Sequence, residues 1–240
     1  MILTVNAGNT NVAYGIFDGL TLRRMGRVPR ADYHLLPQKV GAERFTRILL
    51  GSVVPSMNDQ IVSSLASAYS LPVDVAGVDL PWGVEILCDE PAKVGADRIL
   101  NTLAAFARVR EACIVVDAGT AVTVNAVSRG GALMGGAIAP GPAIMVHSLA
   151  SRTELLPTVA PQKPGAVIGC NTADAIRSGA YYGSIGLVGE LVERMRREIG
   201  KAVPLLITGG AGQFLSSELP EKPPYHPALT LEGLAIMAGR

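Results

Sequence analysis

The chain has 240 residues, enough for one large domain or two modest ones with a real core. It is 49% apolar and only 17% charged, which excludes a disordered chain, and its net charge of +1 excludes a general nucleic-acid footprint. Cys88, Cys113 and Cys170 are odd in number and widely spaced, as reduced thiols of a cytoplasmic protein are, and His34, His147 and His226 are too scattered for a zinc site.

The first half opens as a meander. Residues 2–5, 12–17 and 20–28 read as three antiparallel strands, with Asp18-Gly19 as the turn between the second and third. An apolar strand at 46–53 follows, then a helix opened by Pro55 and running to about Tyr69, then a short strand at 73–78. Residues 81–110 link the halves and end in a helix over 99–109. The second half repeats the order: strands at 113–116, 121–127 and 132–138, then a helix from Gly141 to about Ala150. A long helix is expected over 172–199, a strand over 203–208, and a last helix over 229–239. Residues 157–169 and 220–227, rich in Pro, read as surface excursions. A boundary at 111/112 gives an N-terminal domain, 1–111, and a C-terminal domain, 112–240. No apolar run reaches membrane-spanning length, and no basic region precedes a long apolar stretch at the start.

One phrase is written twice. Val5-Asn6-Ala7-Gly8-Asn9-Thr10 and Val116-Asp117-Ala118-Gly119-Thr120-Ala121 each end an apolar strand at an Asp-type residue, then turn through a Gly beside a hydroxyl. Such a turn offers backbone N–H groups and a hydroxyl to a phosphate. A single copy is equally an ordinary hairpin turn; the repetition is what argues for a ligand. Thr208-Gly209-Gly210-Ala211-Gly212 is a third such turn, between a strand and a helix. There is no Walker A motif and no GxGxxG fingerprint. Gly135 to Gly141 is a Gly-rich strand end, which marks a close backbone approach or a bulge.

Gly95-Ala96-Asp97-Arg98 opens a helix. Local sequence alone favours Asp97 as its N-cap. The other reading is a carboxylate that accepts a hydroxyl proton during phosphoryl transfer, beside an Arg that holds an acidic substrate. Asn171-Thr172 also begins a helix, so Thr172 is either a capping-region residue or a ligand contact.

In this order, the motifs resemble the type III pantothenate kinases, a family of the acetate and sugar kinase, heat-shock chaperone and actin superfamily. The most specific match is Glu90-Pro91 followed by Val94-Gly95-Ala96-Asp97-Arg98. Ile168 to Thr172, Ser178-Gly179 and Leu229-Thr230-Leu231-Glu232-Gly233-Leu234 follow in turn. The resemblance implies an α/β fold of two duplicated ribonuclease H-like domains with a nucleotide cleft between them, the actin-like ATPase fold. It implies ATP-dependent phosphorylation of pantothenate to 4'-phosphopantothenate, the first step of coenzyme A biosynthesis, by a cytoplasmic homodimer. Asp97 would be the general base. Cys88, Gly95, Ala96, Asp97, Arg98 and Thr172 would bind pantothenate, with Thr172 reaching across the dimer interface. Asn6, Ala7, Gly8, Asn9, Thr10, Asn11, Val12, Ala13 and Thr120 would hold ATP with Mg²⁺, and Asp117 a monovalent cation, K⁺ or NH₄⁺. Neither nucleic acid nor membrane would be a partner. Two departures stand out. Asn6 occupies a place where the family has Asp, and Cys88 stands where it has Tyr. The amide keeps a second reading open: a catalytically weak nucleotide-binding relative with a regulatory or binding role.

Overall fold

The computed structural model describes residues 1–200 and 203–239. It contains two compact units. The first comprises residues 1–111, residues 127–135 and the C-terminal stretch from Ala228; the second comprises residues 112–126 and 136–227.

The first unit is built on a five-stranded sheet of order β3-β2-β1-β4-β5: β1 Ile2–Ala7, β2 Asn11–Asp18, β3 Thr21–Pro29, β4 Arg47–Ser52 and β5 Val73–Val75. The first three strands form the expected antiparallel meander, and β4 and β5 pair in parallel. Parallel partners share a face, so the register assigns the two sides. Leu3 and Val5 pair with Ile48 and Leu50 and pack in one core with Ile61 and Leu65. Thr4 and Asn6 pair with Leu49 and Gly51 and lie on the opposite face.

Helices cover both faces. A short helix, α1 (Leu36–Val40), and α2 (Asn58–Tyr69) put Leu36, Val40, Ile61 and Leu65 into the first core. On the other face, Leu49 packs with Leu100 and Leu103 of α3 (Ala96–Val109), and with Leu234 and Met237 of the last helix. The strand expected to continue to Val78 stops at Val75. There Asp79 Oδ2 accepts the Val75 N–H at 2.7 Å, and Gly77 turns the chain at φ 80°.

In the second unit the sheet order is β8-β7-β6-β9: β6 Cys113–Ala118, β7 Ala121–Val127, β8 Leu133–Pro140 and β9 Leu205–Thr208. This repeats the first sheet's order, with β6 in the place of β1 and β9, parallel to it, in the place of β4. Helix α4 (Pro142–Arg152) follows β8. The 28-residue α5 (Thr172–Ile199) contributes Val188 and Val192 to a core with Ile114, Val116 and Ile207, which α6 (Gly212–Glu218) closes with Leu215. Arg196 and Arg197 lie in the last turn of α5, where cations oppose the helix dipole.

A single cut after residue 111 does not describe this division. The last helix, α7 (Leu229–Ala238), belongs to the first unit, where Leu231 and Ala235 pack on Phe17 and Leu234 packs on Leu100. The turn at 127–135 joins the first unit as well. Leu133 exchanges backbone hydrogen bonds with Glu85 and Leu87, both 2.8–2.9 Å, because the segment before α3 lies along it as an extra strand-like edge.

Candidate active site

Each unit gathers its chemistry-bearing residues at the carboxyl end of its central strand. In the first unit Asn6 is the penultimate residue of β1, between Ala13 on β2 and Gly51 on β4. Its Oδ1 is buried and makes no hydrogen bond within the protein. A buried amide oxygen without a donor costs about 1–3 kcal/mol, so this atom asks for a partner from outside the chain. The turn that follows is closed by Gly8 N–H donating to Asn11 O at 2.9 Å. It leaves Asn9 and Thr10 exposed, while Ala7 and Val12 pair across its base in the core, with Ala13 beside them half-buried.

Asp97 stands at the same end of the same sheet face. Its helix begins at Gly95, which is the N-cap. The N-cap role expected for Asp97 is therefore filled by glycine. Gly95 leaves room that a side chain would take: a Cβ there would stand 2.7 Å from Asp97 Oδ1 and 3.6 Å from Val53, the residue that follows β4. Val53 N–H in turn donates to Ala7 O at 3.0 Å, which ties this corner to the Asn6 loop. Asp97 Oδ1 accepts from Arg98 N–H at 2.8 Å, a donor of the first helical turn that is shared with Gly95 O at 3.1 Å. Burial pushes the Asp97 carboxyl above its ordinary pKa, and the Arg98 backbone N–H and guanidinium pull it partly back. Ala96 is buried and Arg98 is half-buried on the first turn. Cys88 is a half-buried thiol just past the backbone pairing of Leu87 with Leu133.

In the second unit Asp117 is the penultimate residue of β6, the position that Asn6 has in β1. It pairs with Thr208 on β9. Gly119 N–H donates to Ala121 O at 2.9 Å, so this turn is one residue tighter than the first and exposes Thr120 at its tip. Two glycines press on it. Gly209, at φ 88°, sits so close that a Cβ would collide with Asp117 Oδ1 and lie 2.5 Å from Ala118 O. Gly141 N–H donates to Thr120 O at 3.1 Å, and a Cβ there would lie 2.6 Å from that oxygen. The three Gly-rich segments of the sequence thus meet at one strand end. Gly141 is the close approach that the run from Gly135 announced.

Thr172 is placed apart from that turn, as the exposed first residue of α5. Asn171 is the cap: its Oδ1 accepts Asp174 N–H at 2.9 Å and its Nδ2 donates to Asp174 Oδ2 at 2.8 Å. The Thr172 side chain is left to line an open groove of about 620 Å³ between α4 and α5, together with Met145, Leu149 and Ile176. Sequence reasoning missed Val53, which no local motif marks. It also missed the orphaned Asn6 oxygen, which only the surrounding packing creates. Among the described residues no three His, Cys, Asp or Glu side chains gather as a metal group, and no helix is long and apolar enough to cross a membrane.

The chain matches the family model for type III pantothenate kinase over residues 2–194. It is 38% identical to a type III pantothenate kinase of Dehalococcoides mccartyi, over 98% of this chain and 96% of that one. It is 35% identical to a type III pantothenate kinase of Geobacter sulfurreducens, over 100% and 99%. Among solved structures it resembles a ROK family glucokinase from Streptomyces griseus in complex with glucose and AMPPNP. The TM-score is 0.57 at 10% identity, over 98% of both chains, a likeness of fold.

The raised pKa of Asp97 makes a stability prediction. The folded protein holds this proton more tightly than the unfolded chain does. That contribution is complete below the ordinary carboxylate pKa and is lost as pH rises through the raised one. Asp97→Asn is neutral throughout, so it should melt above the wild type near neutral pH, and the gap should close below about pH 4. Thermal melts across this range check it; a variant that melts below the wild type at neutral pH would contradict the burial argument.

Proposed function

The chain belongs to the type III pantothenate kinase family, and from that premise we propose which of its own residues carry the reaction. The enzyme uses ATP to phosphorylate pantothenate, the first step toward coenzyme A. The observation that carries the residue assignment is the shared corner of Asn6, Val53 and Asp97 at the carboxyl end of β1 and β4. Open α/β sheets bind ligands at such ends.

Asp97 is the general base. It accepts the proton of the primary hydroxyl of pantothenate as the new O–P bond forms and the bond from the γ-phosphorus to the ADP oxygen breaks. A carboxyl raised by burial holds that proton better than an exposed one, which suits it to the task. Arg98 pairs with the pantothenate carboxylate, and Gly95, Ala96 and Cys88 shape the pocket around the substrate. A thiol at position 88 supplies less contact area than an aromatic ring. Thr172 completes the site from the partner subunit of a homodimer. The apolar groove beside it, with Leu149 exposed at 39%, supports burial of this face between two copies.

Of residues 6–13, the exposed Asn9 and Thr10 hold the ATP phosphates, with Ala7, Val12 and Ala13 supporting the turn from its base, and Thr120 holds them from the second turn. Mg²⁺ bound with these phosphates would neutralise charge on the transferred group. The residues fit such an ion: the donor set is oxygen, and Asn6 offers a buried oxygen with no other partner. Asp117, walled by Gly209, is the carboxylate for a monovalent cation, K⁺ or NH₄⁺. We place the reaction in the cytoplasm, where Cys88, Cys113 and Cys170 stay thiols.

An ATP-consumption assay with pantothenate, Mg²⁺ and K⁺ tests the reading. Asp97→Asn should lower turnover about 10²- to 10⁴-fold while ATP binding survives; near wild-type turnover would remove the base assignment. An amide oxygen is a weaker ligand than a carboxylate for a hard cation. Asn6→Asp should therefore shift half-maximal Mg²⁺ to lower concentration, read both in turnover and in Mg²⁺-dependent nucleotide binding by calorimetry. An unchanged Mg²⁺ dependence would show that Asn6 does not limit metal handling. Leu149→Asp should convert the dimer to a monomer in sedimentation and lower activity with it. A wild type that is already monomeric and fully active at micromolar concentration would contradict the shared site.

A further inference from the structure

We propose that α7 acts as a fixed stop for α3, and that Gly233 is the positioning residue that sets where Asp97 stands. This deepens the reading of Asp97 as the base and rests on it.

The contact is between backbones. A Cβ on Gly233 would collide with Leu100 O and would lie 2.9 Å from Leu100 C and 3.0 Å from Leu100 Cα. Side chains swing aside; a helix backbone does not. Leu100 lies one helical turn beyond Asp97, so whatever moves its backbone moves the carboxylate. The Leu100 side chain is seated as well. Its Cδ1 reaches within 2.7 Å of where a Cβ on Gly51 would be, and Leu234 of α7 comes to the same glycine; Gly51 is the residue of β4 that pairs with Asn6. At Leu100, helix α3 thus meets α7 through its backbone and β4 through its side chain. Glycine on both partners is what allows so close a fit.

Two polar ties keep the helices from sliding. Thr230 Oγ1 donates to Asn101 Oδ1 at 2.8 Å, and Asn101 is fully buried. At the far end Arg108 Nε and Nη2 donate to Glu232 Oε2 at 2.9 and 2.6 Å. Asp97 itself takes its hydrogen bond from Arg98 on its own helix. Its position is therefore inherited from the seat of α3, and α7 sets that seat. This accounts for a C-terminal segment that returns to the first unit after the whole second unit has been built.

The inference predicts a loss in the chemical step without a loss in ATP binding. In Gly233→Ala the Leu100 backbone must retreat by roughly 0.5–1 Å, and a misplacement of about 1 Å at a reacting group costs on the order of 10²-fold. Turnover with saturating pantothenate and ATP should fall about 10- to 100-fold, with the KM for ATP within about threefold of the wild type; the KM for pantothenate rises as Arg98 shifts with the same helix turn. Leu65→Ala, in the core on the opposite sheet face, serves as the comparison. It should lower the melting temperature at least as much and leave turnover near the wild-type value. The decisive measurement is the double variant. If Gly233 acts through Asp97, Gly233→Ala adds little to the loss already caused by Asp97→Asn; if it acts otherwise, the two losses multiply. Should Gly233→Ala not fold, Thr230→Val takes its place in the same cycle, with a smaller expected loss. Multiplied losses, or an equal fall in Leu65→Ala, overturn the positioning role. A silent Gly233→Ala beside a slow Asp97→Asn also overturns it and leaves the base assignment standing. A silent Asp97→Asn beside a slow Gly233→Ala overturns both.

Discussion

The parallel pairing of β1 with β4 is the constraint on which the first unit depends. Its register decides which side chains share a face. Leu3, Val5, Ile48 and Leu50 go to the α2 side, and Thr4, Asn6, Leu49 and Gly51 go to the α3 side. A slip of one residue would exchange the two sets and bury Asn6 in the apolar core under α2. The same pairing brings the ends of both strands to one edge, where Val53 N–H binds Ala7 O and the chain can present a turn on one strand beside a helix start from elsewhere. The Asn6 loop and the start of the Asp97 helix share Val53 there because one strand register and one helix seat agree.

The second unit solves a similar problem with backbone instead of side chains. Asp117 closes its strand as Asn6 does, but glycines at 141 and 209 press against its turn. Each permits an approach that any larger residue would forbid, and Gly209 also takes a φ of 88° that favours glycine. Further hydrogen bonds hold the arrangement: Ala211 N–H to Ala118 O at 2.8 Å and Tyr225 OH to Gly209 O at 3.0 Å. The result is a narrow wall of peptide groups beside one carboxylate. The duplicated order of the two sheets therefore carries different chemistry in its two copies. One offers an amide oxygen without a partner, the other a carboxylate hemmed in by main chain.

Much of this is legible in the sequence. The twice-written phrase marked both turns, because a buried strand that stops at an Asp-type residue and a Gly has few other ways to end. The order of strands and helices in each half showed the duplication through period alone. Asp97 was less legible. Its neighbours permit an N-cap, and the energy of a cap is local, so nothing nearby in sequence could exclude it. The exclusion comes from Gly95, which takes the cap position itself, with the Asp97 carboxylate folded back to within 2.7 Å of where a Gly95 Cβ would stand.

By itself the sequence determined the α/β class, the repeated turns at the strand ends, and the family to which the chain belongs, since each is written in residue order and spacing. Tertiary structure decided which element belongs to which unit. Helix α7 leaves the half in which it is encoded because its apolar residues, Leu231, Leu234, Ala235 and Met237, find matching surface on Phe17, Leu49 and Leu100 of the first. It also decided that Asn6 keeps a buried oxygen without a donor and that Gly233 must be glycine against Leu100. Both depend on segments far apart in the chain being brought to within an ångström or so of collision. Spacing along a chain carries no record of such distances; they follow only from how two faces pack.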